Sequence, residues 1–261
     1  MKEIYSKALG LIDLTSLNPT DTPARIGEMV RKVNDFHSVY PQYPLPASIC
    51  VFPNFASTVR DLRKDSDVHI TVVGGCFPAS QSPLEVKLLE CTKAVQDGAD
   101  EVDIVLALNS FLEGRYDAAQ HEIVEIGKAI RAVNPKVHLK VILETGALKE
   151  RRLIEDASFL AMEADADFIK TSTGKMQPAA TPEAAQIMCE CIGAFYAKTG
   201  KMVGFKPAGG IATADDAVLY YNIVKDVLGE RWLNKEYFRF GASRMANNLL
   251  SALEEKEIKY Y

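Results

Sequence analysis

Motifs for several common chemistries are missing from this chain. It has no GxSxG nucleophile elbow and no GKS or GKT phosphate loop, which sets aside elbow-type serine hydrolases and P-loop nucleotide enzymes. Its four histidines, His37, His69, His121 and His138, form no HxH or HExxH pair, so no metal site is expected. Five cysteines (Cys50, Cys76, Cys91, Cys189 and Cys191) make an odd set without metal-site spacing. They read as buried, reduced thiols of a cytoplasmic protein. No apolar run approaches the ~20 residues of a membrane span. The start, MKEIYSKALGLIDLTS, has neither the unbroken apolar stretch nor the small-residue cleavage site of a leader. Basic charge is in short supply: 30 Lys and Arg stand against 35 Asp and Glu, for a net charge of -5. That balance argues against a general binder of nucleic acid or membrane surfaces. An anionic substrate would need locally arranged donors.

Short, β-branched apolar runs alternate with helical patterns from end to end. The expected strands are LIDLT (11–15), ASICVF (47–52), HITVVGG (69–75), EVDIVLAL (101–108), HLKVILET (138–145), DFIKTST (167–173), MVGFKPA (202–208) and FRFGAS (238–243). Most are apolar on both faces, as parallel strands covered by helices are. Thr22-Pro23, Ser82-Pro83 and Thr181-Pro182 each set a capping hydroxyl before a proline at the first helical position. Ser82 with Glu85 has capping-box spacing, and Thr213 with Asp216 resembles one. The strand centres recur about every 33 residues, one strand plus one crossover helix. Eight such units fit an α/β chain folded as a single-domain (β/α)8 barrel over residues 1–261, a fold that takes roughly 250 residues. A doubly wound open sheet shares the alternation, but no Gly-x-Gly-x-x-Gly run follows the first strand.

Lysines occupy the interiors of three of these strands: Lys140, Lys170 and Lys206. Burying an ammonium without a partner is costly, and several cations in one interior favour holding one lysine neutral. A neutral lysine is a nucleophile whose natural partner is a carbonyl. One lysine is then the nucleophile and a second its electrostatic activator. Asp103 offers a carboxylate for proton transfer or for holding the second lysine charged. Strand alternation puts Lys170 on a face with Phe168 and Ser172, Lys206 with Gly204 and Ala208, and Lys140 with Ile142 and Glu144. Asp13, Asp103, Lys140, Lys170, Lys206 and Ser243 all fall in the strands or near their C-terminal ends, where barrel active sites lie. The bland alternative is a buried ion-pair network without chemistry.

Glycine-rich turns follow the last three strands: Gly174-Lys175, Gly209-Gly210, and Ser243-Arg244 at the start of the final helix. Backbone N–H groups of such loops bind phosphate, and barrels often place that site after strands seven and eight.

With those residues in hand, LIDLTSLNPTDT, GADEVDIVL, LKVILETGAL, ADFIKTSTGK, VGFKPAGGI and FRFGAS occur in the order seen in the deoxyribose-phosphate aldolase family of class I aldolases. The chain resembles that family over nearly its whole length. The resemblance implies a (β/α)8 fold with Lys170 as the Schiff-base lysine. Lys206 would be the second lysine that lowers its pKa, and Asp103 the carboxylate of a proton relay. Lys140, Cys50 and Asp13 match further active-site positions; Gly174, Lys175, Gly209, Gly210 and Ser243 match phosphate-binding ones. It also implies reversible cleavage of 2-deoxy-D-ribose 5-phosphate to acetaldehyde and D-glyceraldehyde 3-phosphate, with no metal or cofactor and with a homo-oligomeric assembly. Two positions depart from the pattern. Ala212 stands where a basic residue is common, and Arg244 where a second serine is usual, as though the charge had moved between two phosphate-side loops. The tail, 254–261, reads as a helix end or a mobile arm; by resemblance Tyr261, or else Tyr260, would reach the active site. Another lysine-dependent aldolase with a different acceptor, or a non-catalytic sugar-phosphate sensor, would share many of these features.

Overall fold

The structure, a computed structural model, describes residues 1–261. Eight short strands follow one another along the chain: β1 (Ile12–Thr15), β2 (Ser48–Val51), β3 (His69–Gly74), β4 (Glu101–Val105), β5 (His138–Ile142), β6 (Phe168–Lys170), β7 (Gly204–Lys206) and β8 (Phe240–Ala242). All pairings are parallel, and each strand lies beside its sequence neighbours, with β8 next to β1. Bridges Phe205–Phe238 and Ala208–Gly241 join β7 to the β8 segment. The sheet therefore closes into a (β/α)8 barrel, and the open-sheet alternative is excluded.

Period-2 alternation divides the strand residues between two environments. Ile12, Leu14, Ile70, Val72, Val102, Ile104, Leu139, Val141, Ile169 and Phe205 point outward into a core cluster of 67 buried residues shared with the helices. The alternate residues fill the barrel, and there the lining is mostly polar and charged. Hydrophobic burial thus holds the helices to the sheet, while a dense ionic cluster occupies the barrel axis.

The strands end earlier than the sequence suggested. Glu144, expected on the same strand face as Lys140, lies beyond β5 in left-handed backbone (φ +54). There it heads a single helical turn, Thr145–Leu148, and its carboxylate accepts from Thr173 N–H at 3.2 Å and Thr173 Oγ1 at 2.5 Å. The Thr22 and Thr181 hydroxyls cap helices Pro23–Val39 and Pro182–Thr199. Thr213 and Asp216 form a full capping box on helix Ala214–Leu228. Ser82 does not cap. Helix Leu84–Gln96 opens on the Pro83 carbonyl, which accepts from Val86 N–H at 3.1 Å, so Pro83 itself is the N-cap and Ser82 lies one residue outside it.

Candidate active site

Inside the barrel, side chains from five strands and the turn before β8 meet. Lys170 Nζ donates to Asp103 Oδ2 at 2.8 Å, and Lys206 Nζ donates to the same oxygen at 2.7 Å. Lys206 is also ion-paired with Asp13. Lys140 is ion-paired with Glu101 and lies 3.4 Å from Asp103 Oδ1. Arg239 closes the ring, donating to Asp13 Oδ1 at 2.7 Å and to Glu101 Oε1 at 2.8 Å. All seven groups are buried.

Four cations and three carboxylates make an unequal set. A guanidinium keeps its proton, so the surplus positive charge falls on the lysine with the weakest support. Lys206 has two carboxylates. Lys140 has the whole of Glu101 beside it and Asp103 at longer range. Lys170 has only a share of Asp103. Burial, above all, pulls the Lys170 ammonium below its ordinary range, and Lys206 reinforces this against the pull of Asp103. Lys206 goes the other way: burial would lower it, but Asp103 and Asp13 hold it above its usual value. Asp103 is likewise penalised by burial, yet Lys170, Lys206 and Lys140 keep its carboxyl far below the carboxylate range. The expected division into one depressed and one charged lysine therefore has a geometric basis.

Of the three lysines, Lys170 alone lines the cavity of about 230 Å³ at the C-terminal mouth of the barrel. The cavity wall also includes Gly174, Lys175, Gly209, Gly210, Ser243 and Arg244, so the structure gathers all the expected phosphate-loop residues around one space. Gly174, Gly209 and Gly210 have φ of +75, +83 and +79, a region costly for residues with a Cβ. None of their N–H groups donates to another protein group. Lys175 Nζ reaches across the mouth to the Leu17 carbonyl at 2.7 Å. Arg244, exposed, stands at the N-terminus of helix Met245–Glu254, which has no acidic residue in its first turn. Helix Ala214–Leu228 offers less to an anion, because Asp216 already accepts from Ala212 and Thr213 N–H at 2.9 and 2.8 Å.

Cys50 is fully buried beside Leu17 and Val73, and burial raises its thiol despite Lys206. It is a poor nucleophile there. Ala208 near Lys206 lines the cavity, but Gly204 leaves no open room. A Cβ on Gly204 would lie 2.3 Å from the Phe168 ring, so the missing side chain admits that ring, which in turn lies 5.6 Å beneath Lys140 Nζ and 5.8 Å from the Arg239 guanidinium.

The tail is docked in this structure. Asn247 Oδ1 accepts the N–H groups of Tyr260 and Tyr261, both at 2.9 Å, and Tyr260 Oη donates to the Lys32 carbonyl at 2.7 Å. The Tyr261 ring stacks on Phe36 at 5.7 Å between centroids. It lines a second cavity, about 480 Å³, that shares Thr15, Asn18, Ser243 and Arg244 with the first. The structure therefore brings Tyr261 next to the Ser243–Arg244 end of the first cavity and not to the lysines.

Two members of the ionic cluster, Glu101 and Arg239, were not singled out from the sequence. Alternation could have found both, since Glu101 is two residues before Asp103 and Arg239 is two before Gly241 on inward-facing positions.

The fold and site are thus a (β/α)8 barrel with a cavity-facing lysine amid buried carboxylates. Residues 8–226 match the sequence profile of the DeoC/LacD family of aldolases, and the chain belongs to that family. A Caenorhabditis elegans protein provisionally named deoxyribose-phosphate aldolase is 39% identical over 254 residues, 97% of this chain and 82% of that protein. The solved structure of an aldolase designated QR15 superposes with a TM-score of 0.75 at 27% identity, covering 95% of this chain and 96% of its own. The tetrameric deoxyribose phosphate aldolase of Aeropyrum pernix does so with a TM-score of 0.73 at 26% identity, over 95% of this chain and 92% of that one.

Proposed function

We propose that this aldolase works through a Lys170 Schiff base and cleaves 2-deoxy-D-ribose 5-phosphate reversibly to acetaldehyde and D-glyceraldehyde 3-phosphate. The observation that carries the reading is that Lys170 is the only cluster lysine on the cavity and the one least supported by carboxylates. Neutral Lys170 Nζ attacks C1 of the open-chain aldehyde, and loss of water gives a protonated imine. The two-carbon product comes from C1 and C2, so the bond that breaks is C2–C3. The C3 hydroxyl gives up its proton, C3 becomes the aldehyde of the three-carbon product, and the C2–C3 electron pair moves into the iminium to form an enamine. Protonation at C2 and hydrolysis return acetaldehyde and the free amine. Asp103, bonded to both Lys170 and Lys206, is the relay carboxylate that exchanges protons with the Lys170 nitrogen. Lys206 stays charged and keeps Lys170 unprotonated.

The loop glycines, Lys175, Ser243 and Arg244 hold the phosphate through N–H groups and charge. Lys140, Cys50 and Asp13 support the interior without touching substrate. The names of the C. elegans and A. pernix relatives favour the deoxyribose phosphate. The tetramer of the latter favours a homo-oligomer, and we place the protein in the cytoplasm.

Borohydride reduction with deoxyribose 5-phosphate or acetaldehyde, followed by peptide mapping, tests the proposal. The adduct is expected on Lys170, and Lys170→Arg is expected to abolish both adduct and turnover, because a guanidinium stays protonated. An adduct confined to Lys206 or Lys140 would refute the assignment.

A further inference from the structure

Glu101 and Arg239 are fully buried, do not line the cavity and so cannot touch a substrate. They nevertheless hold the far half of the ionic cluster. Arg239 bonds Asp13, the second carboxylate of Lys206, while Glu101 is the main partner of Lys140. Resting on the reading of Lys170 as the imine-forming residue, we infer that Glu101 and Arg239 are positioning residues of the aldol site: they fix how many protons the lysine cluster can hold, and so make Lys170 the member without one.

The count of buried charges carries this. With Lys170 neutral, Lys140, Lys206 and Arg239 balance Asp13, Asp103 and Glu101. A dry interior favours that balance over one surplus charge of either sign. Adding or removing one charge at the Glu101–Arg239 end must be answered at the least supported lysine. Besides Lys140, few charged or titratable groups face that end. From β3, Thr71 Oγ1 donates to Glu101 at 2.5 Å and to Ser48 Oγ of β2 at 2.8 Å, and both are neutral. His69 of β3 is held below its ordinary range by burial, with Glu101, Arg239, Asp100 and Glu236 as its charged neighbours. From β5, His138 Nδ1 lies 3.7 Å from Glu101 at the N-terminal mouth. From β6 the neighbour is the Phe168 ring. Around Lys170 itself stand Asp103 of β4, Lys206 of β7 and the Cys50 thiol of β2.

The signs follow. Arg239→Met leaves three lysines against three carboxylates, so Lys170 can keep its proton. Glu101→Gln keeps the shape and removes one negative charge, but it also strips Lys140 of its main partner, so its effect is read in a Lys140→Met background. There Lys170, Lys206 and Arg239 face three carboxylates with Glu101 in place and two without it, and Lys170 should lose its proton more easily in the second case.

The experiment is the pH dependence, from pH 6 to 10, of borohydride-trapped adduct at Lys170 with acetaldehyde in the full-length protein. The rising limb should move to higher pH by about one unit in Arg239→Met, and to lower pH by about one unit when Glu101→Gln is added to Lys140→Met. It should lie near the wild-type position in Arg239→Lys, which keeps the charge. A His138→Gln control should leave the Glu101→Gln displacement in place. Should Arg239→Met fail to fold, the Glu101 comparison decides alone. Superimposed profiles in folded Lys140→Met proteins with and without Glu101→Gln, with a normal wild-type adduct at Lys170, would overturn this inference and leave the proposed function standing. A wild-type protein that forms no adduct at Lys170 would overturn both.

Discussion

At the scale of single residues, Asp103 decides what its neighbours can do. Its Oδ2 receives both Lys170 and Lys206. Lys206→Leu would free that oxygen for Lys170 alone and remove the nearest competing cation. Both changes stabilise the Lys170 ammonium, so activity should fall near neutrality and its optimum should move to higher pH. A kcat/KM profile measured across pH checks this, and an unmoved optimum in a folded variant would dismiss Lys206 as the activator. The lysines were legible because a lysine inside an apolar β-run is conspicuous. Glu101 and Arg239 were less so: one opens its strand and the other precedes β8, where charged residues are ordinary. Only the inward alternation marks them, and the burial that makes them matter is set by the closed barrel rather than by local sequence.

Among the elements, the loops after β6, β7 and β8 do the work of gathering. The Gly209 backbone sits against Gly174: a Cβ at Gly209 would approach the Gly174 Cα to 2.8 Å, and the φ of +83 disfavours it independently. Gly209→Ala should destabilise the fold by about 1–2 kcal/mol. It should also raise KM for deoxyribose 5-phosphate several-fold, while changing kcat/KM for unphosphorylated deoxyribose much less. Steady-state kinetics on the two sugars, with a thermal melt, provide the comparison. The turns were readable from their glycines, and strand order from the spacing of apolar runs. Strand ends were not, because burial continues past the last strand residue into Leu106, Leu143 and Thr171, whose N–H groups still bond carbonyls of the neighbouring strands. The Ser82 cap failed for a local reason, a one-residue shift in where the helix begins. The tail's docking was hidden too, since its partners Phe36 and Lys32 are distant in sequence.

For the molecule as a whole, a buried lysine whose ammonium is disfavoured works against folding. Lys170 has a folded-state value lowered from 10.5, so below that pH the unfolded chain binds the extra proton and is favoured by it. The penalty is present at neutral pH and disappears as pH rises toward the unfolded value. Lys170→Met removes the penalty and leaves Asp103 paired with Lys206. The variant should therefore be inactive yet melt a few degrees above wild type at pH 7, with the difference shrinking as pH approaches 10. Calorimetry at several pH values measures it, and a variant less stable at pH 7 would contradict the charge count. Chelation should leave aldol turnover unchanged, since no three His, Cys, Asp or Glu side chains are grouped to hold a metal ion and the iminium supplies the electron sink. An activity lost to EDTA and restored by zinc would exclude the Schiff-base route.

The same excess of one cation has a meaning for the covalent cycle. On the proposed mechanism Lys170 is neutral at rest, and Lys140, Lys206 and Arg239 balance Asp13, Asp103 and Glu101. The protonated imine puts a positive charge on that nitrogen, where the cluster disfavours one. Breaking C2–C3 takes the charge off the nitrogen again, so the scaffold would raise the iminium in free energy relative to the enamine. Binding energy at the phosphate loops would hold the sugar in place against that repulsion, so the distant phosphate and the cluster beneath the nitrogen act on opposite ends of one bond.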